Sequence, residues 1–166
     1  MNRVHATLAA GGVNHEMLLL VDGDACPVKD EIYVVATRYG VEVALVANAR
    51  LHVPSGFGVE MIVVGGAPDA ADDWIADNTR RGDVVVTADI PLAARCLAAG
   101  ARVLGTDGRP FTEDSIGGAL ATRDLKAYLR ETGTQSGGPR ALTPRDRSRF
   151  ESKLDEMVQR SLRGPE

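Results

Sequence analysis

The chain has little cysteine, few aromatic residues, no strong excess of either charge and no long apolar run, and each shortage removes a class of protein. Its two cysteines, Cys26 and Cys96, lie far apart and in no CxxC pattern, which excludes a disulfide scaffold and argues against structural zinc. The longest apolar run, Met17 to Val21, is the length of a strand and falls far short of the roughly twenty residues of a membrane span. Residues 1–16 contain no continuous apolar stretch of the kind a secretory signal needs, so the chain is expected to stay in the cytoplasm with no membrane partner. A net charge of −4 provides no global basic field to recruit nucleic acid, which leaves any such binding to local patches. Aromatic residues make up only 4%, so base stacking is a minor contributor at most.

What is present is ordinary for one globular domain: 166 residues, 44% hydrophobic and 25% charged. Short apolar runs alternate with stretches of helical periodicity, a pattern that predicts an α/β fold built on a mostly parallel sheet. The expected strands are Met17–Asp22, Val41–Ala47, Val59–Val64, Val84–Thr87 and Ala101–Leu104. Helices are expected from Pro27 to Tyr39, Ala67 to Arg80, Ile90 to Ala99 and from Ser115 onward, with Gly40 and Gly100 as stops. Residues 1–16 read as a disordered extension, 17–132 as the α/β domain, and 133–142 as a flexible linker. Thr143-Pro144 opens a C-terminal amphipathic helix over 143–166, whose apolar face (Phe150, Leu154, Met157, Val158) is expected to pack on the domain or on a partner.

The chemically informative feature is where the acidic residues fall. Asp22 and Asp24, the set Asp69, Asp72 and Asp73, and Asp89 all come just after an expected strand or in the first turns of the next helix, the sheet edge at which open α/β proteins bind ligands. Carboxylates crowded there repel one another, and a hard divalent cation relieves the repulsion. With no His or Cys cluster beside them, an all-oxygen set favours Mg²⁺ or Mn²⁺ over zinc. Set against this, a single Asp after a strand is usually a helix N-cap, which could account for Asp69 or Asp89, and Asp73 and Asp77 read as a solvated face. Asp83 and Asp107 read as turn residues. Cys26 has the wrong neighbours for a nucleophile, and His5, His15 and His52 have no triad partners. Arg123, Lys126, Arg130, Arg140, Arg145, Arg147 and Arg149 form a basic set in the last third that could grip a nucleic-acid backbone.

Several stretches resemble the YaiI/YqxD family, also called UPF0178 or DUF188, which is grouped with PIN-like nuclease domains. They are Asp22-Gly-Asp-Ala-Cys-Pro-Val-Lys29, Val46-Ala-Asn48, Asp69-Ala-Ala-Asp72, Val85-Val-Thr-Ala-Asp-Ile-Pro-Leu-Ala93, Gly138-Pro139 and Asp146-Arg-Ser-Arg-Phe150. The resemblance implies a three-layer α/β/α sandwich of PIN-like type, with Asp22, Asp24, Asp72 and Asp89 as catalytic metal ligands. On this basis the chain is expected to be an Mg²⁺- or Mn²⁺-dependent nuclease acting on RNA or structured nucleic acid. Asp69 and Asp73 would be accessory, Thr87 and Asn48 would orient ligands or water, and Lys29 would neutralise phosphate. The chain departs from the family pattern at Ala88, where Gln or Asn is usual, and offers only Asp107 for a late acidic ligand. Two other readings remain open: a catalytically silent RNA- or protein-binding module, and a phosphatase of the haloacid-dehalogenase type built on Asp22-Gly-Asp24.

Overall fold

The computed structural model describes residues 17–24, 26–54, 58–131 and 141–164. The expected extension at 1–16 lies outside the described residues, as does all of the expected linker at 133–142 except Ala141 and Leu142. Among the described residues are β1 (Leu19–Asp22), α1 (Lys29–Tyr39), β2 (Val43–Ala47), β3 (Val59–Val63), α2 (Ala70–Asn78), β4 (Val84–Val86), α3 (Ile90–Ala98), β5 (Arg102–Leu104), β6 (Pro110–Phe111), α4 (Glu113–Glu131) and α5 (Pro144–Leu162). The strands form one sheet in the order β3-β2-β1-β4-β5-β6. All neighbours are parallel except β5 and β6.

The strands carry almost unbroken apolar sequence because helices cover both faces of the sheet. Register sorts the side chains into two cores. Leu19, Val21, Val43, Leu45, Val84 and Val86 face α1 and α5, where they meet Ile32, Val35, Phe150, Leu154 and Val158. Leu20, Ala44, Val46, Val85 and Val103 face the other way, onto Ala71, Ile75, Leu92, Ala93 and Cys96 of α2 and α3 and the start of α4 at Ile116. The result is a three-layer α/β/α sandwich.

The apolar stripe of α5 lies in the first of these cores. Thr143 and Asp146 form a capping box at its start, with Pro144 at the first helical position. Its polar side clasps α1: Arg38 pairs with Asp155 and Glu151, Tyr39 donates to Asp155 Oδ1 at 2.6 Å, and Arg147 donates to the Pro27 carbonyl at 2.7 Å. Two members of the basic set are therefore held by the protein, since Arg149 also pairs with Asp146 at 3.3 Å.

Several element boundaries differ from the sequence reading; α2, for one, runs from Ala70 to Asn78, inside the expected Ala67 to Arg80. Pro27 and Val28 form a turn, so α1 starts at Lys29, with Val28 at its N-cap. Helix α4 begins at Glu113, two positions before Ser115, because Thr112 and Ser115 exchange hydrogen bonds across the first turn. The two-residue strand β6 has no periodic signal in the sequence, yet it reverses the sheet edge through the Gly105–Arg109 turn. Among the described residues no helix is long and apolar enough to cross a membrane.

Candidate active site at the strand switch point

The chain leaves β1 toward β2 on one side and leaves β4 toward β5 on the other, so the carboxyl ends of β1 and β4 flank the point where the winding reverses. A crevice opens at such a point in doubly wound sheets, and here Asp22 ends β1 while Thr87 to Asp89 follow β4. Gly23 carries the chain out of β1 close beneath β2: its N–H donates to the Val46 carbonyl at 2.7 Å, and a Cβ there would lie 2.9 Å from Leu45 Cδ1. Close approach to β2 therefore demands glycine between the two aspartates.

One hydroxyl joins the two strand ends. Thr87, 1% exposed, donates through Oγ1 to Asp22 Oδ2 at 3.0 Å and accepts the Asp89 N–H at 3.0 Å. Asp89 in turn caps α3, its Oδ1 accepting the Leu92 N–H at 2.8 Å. Asp24 is exposed and accepts the Asn48 backbone N–H at 3.0 Å, which ties the β1 loop to the end of β2. It is thus the Asn48 main chain that makes this contact.

Asp72 enters from the first turn of α2. Burial, then the negative charges of Asp89 and Asp22, then those of Asp69 and Asp73, push its carboxyl up to about 6. Asp22 is also raised, chiefly by burial and further by Asp24 and Asp89, against the lowering effect of the Thr87 hydrogen bond. Three chain segments distant in sequence therefore share one electrostatic neighbourhood. Among the described residues, no Lys or Arg forms an ion pair with Asp22, Asp24, Asp72 or Asp89.

The other candidates take different positions. Asp69 occupies the N-cap position of α2 without accepting a capping hydrogen bond, and adds its charge beside Asp72. Asp73 pairs with Arg95 of α3 at 2.9 Å, with both side chains about half exposed. Lys29 turns its ammonium to the Cys26 carbonyl at 2.9 Å. Cys26 is buried, and burial, more than any neighbouring charge, raises its thiol. Asp107 is a turn residue, accepting the Arg109 N–H at 3.0 Å. Asp83 closes the turn expected of it, accepting the Arg80 N–H at 2.8 Å, but it is also 2% exposed and accepts the Leu18 N–H at 2.9 Å, anchoring the start of β4 beside β1. The sequence signal was an acidic residue immediately before an all-apolar strand.

As a donor set these carboxylates suit a hard divalent cation: all donors are oxygen, the neighbouring charges raise Asp22 and Asp72, and among the described residues no Lys or Arg pairs with any of the four. They do not close into a cage as they stand. Among the described residues, no group of three or more His, Cys, Asp or Glu side chains is arranged to hold a metal ion. Asp24 is drawn instead to the Asn48 N–H and Asp89 to the first turn of α3.

The fold and site thus define a doubly wound α/β protein with an acidic cluster at its switch point. Over residues 20–160 the chain matches DUF188, described as the uncharacterized YaiI/YqxD family, and it belongs to that family. UPF0178 proteins of Rhodopseudomonas palustris (strain BisB5) and Nitrobacter winogradskyi are each 54% identical over 145 residues, 87% of this chain and 88% and 92% of theirs. A UPF0178 protein of Bradyrhizobium diazoefficiens is 55% identical over 145 residues, 87% of each chain. No solved structure matches the chain.

Proposed function

We propose that the chain is an Mg²⁺- or Mn²⁺-dependent nuclease that hydrolyses phosphodiesters of RNA or structured nucleic acid. Asp22, Asp24, Asp72 and Asp89 hold the cation, with Asp69 and Asp73 flanking them. The observation that carries this reading is an acidic cluster at the switch point in which neighbouring charges raise Asp22 and Asp72, with no Lys or Arg among the described residues paired to its four central members. When bound, a divalent ion supplies an activated water and neutralises charge on the phosphate and the leaving oxygen. Thr87 fixes Asp22 in the crevice by its hydrogen bond. Asp89 joins the set by turning from Leu92, which costs about 1 kcal/mol of helix capping. Lys29 meets substrate phosphate once its ammonium leaves the Cys26 carbonyl, and Asn48 holds the Asp24 loop. Purified protein with Mn²⁺ is expected to cut RNA or single-stranded DNA, and Asp22→Asn to abolish cleavage. No cleavage across a broad substrate panel would contradict the proposal.

One observation favours a second reading, a catalytically silent RNA- or protein-binding module: the described carboxylates are not arranged as a metal-binding group. Calorimetric titration with Mn²⁺ separates the two, since a silent module takes up no ion at millimolar concentration.

A further inference from the structure

At the opposite edge of the sheet, where β4 and β5 begin, a cavity of about 690 Å³ is lined by Arg81, Arg102 and Arg163 together with Leu97, Glu113 and Ser161. The arginines come from three elements: the turn before β4, the first residue of β5 and the C-cap of α5. The volume falls in the range of small-molecule sites.

Most arginines described elsewhere, such as Arg38, Arg95, Arg147, Arg149 and Arg160, have a carboxylate partner. Among the described residues, Arg81, Arg102 and Arg163 have none. Cations at such an edge often answer the partial negative charge of helix C-termini. Here several of the last carbonyls already have backbone donors: Arg95 and Cys96 accept from Ala99, Leu97 accepts from Gly100, and Gln159 and Ser161 accept from Arg163 and Gly164. Apart from the bond of Arg102 to Ser161, no side-chain partner among the described residues takes up these guanidiniums.

Two of them are also held in place. Arg102 Nε donates to Ser161 Oγ at 3.1 Å, and that serine is 6% exposed, so the two terminal nitrogens form a fixed fork. The stem of Arg81 lies on Gly100, where a Cβ would come within 3.0 Å of Arg81 Cγ. Glu113 supplies one acceptor on the cavity wall and Leu97 an apolar surface.

The geometry points to a binding site for a small organic phosphate of nucleotide size, its phosphate on the three arginines and a hydroxyl or amino group on Glu113. The site is separate from the acidic edge and does not depend on the activity proposed for it. It is tested by calorimetric titration of the full chain in EDTA, which silences any divalent-ion site, with AMP, inorganic pyrophosphate and adenosine as probes. AMP and pyrophosphate are expected to saturate one site and adenosine to bind at least ten-fold more weakly. Arg81→Gln and Arg163→Gln alter exposed side chains, so melting temperature should hold while affinity for both anions falls about ten-fold or more for each. The proposal is overturned if neither anion saturates by about 10 mM. It is equally overturned if affinity survives both substitutions, or if Lys29→Gln removes binding in their place.

Discussion

Replacing Asp72 by asparagine removes a charge that the folded protein accommodates poorly while keeping the side chain's shape. An unfolded aspartate releases its proton near 3.9, whereas folded Asp72 holds its proton up to about 6 because of burial and the facing charges of Asp89 and Asp22. Between those values the native state carries a proton that the unfolded chain has lost. Its stabilising effect is complete below pH 4 and is lost as pH rises through 6. Moving a carboxyl from 3.8 to about 6 corresponds to about 3 kcal/mol, which screening at this partly exposed position reduces to about 1 kcal/mol. In EDTA at pH 8, Asp72→Asn is therefore expected to melt roughly 2–4 °C above the wild type and to show a flatter stability profile between pH 4 and 6. With Mn²⁺ at about a hundred times its dissociation constant the order reverses, because the wild type gains about 2.7 kcal/mol and the variant gains less. Differential scanning calorimetry across pH, with and without the ion, reads all three effects. A variant that melts below the wild type in EDTA at pH 8, with an unchanged pH profile, would refute the reasoning.

Thr87→Val keeps the volume but removes the hydroxyl that joins Asp22 to the Asp89 N–H, and is expected to cost about 1–3 kcal/mol in urea denaturation. It should also move the Asp22 carboxyl further up, as read by NMR titration, because the donor that lowers it is gone. Phe150→Ala empties a fully buried position beneath α5 and is expected to cost about 3–5 kcal/mol, with hydrogen exchange accelerated most over 144–162.

Much of this arrangement is legible in the sequence because apolar runs and turn residues are local signals. The alternation of runs gives the five parallel strands and the helices between them, and the Thr143-Pro144 start and spaced apolar stripe give α5. The order of strands is not local, and it is strand order that makes Asp22 and Asp89 neighbours across Thr87. The aspartates could be read as a class, but their individual duties could not. Asp89 caps a helix, Asp69 stands at a cap position without capping, and Asp73 is paired with Arg95. Those differences depend on side-chain orientation, which spacing alone leaves open. The arginine cavity was invisible for the same reason, since Arg81, Arg102 and Arg163 meet only after β4, β5 and α5 have packed.

In the proposed nuclease, carboxylates from β1, α2 and the turn between β4 and α3 gather on one divalent cation. An anomalous difference map from crystals soaked in Mn²⁺ tests it most directly. The account predicts a peak at the switch point bounded by Asp22, Asp72 and Asp89, absent in Asp22→Asn; soaks at millimolar Mn²⁺ that leave this crevice without a peak would contradict it.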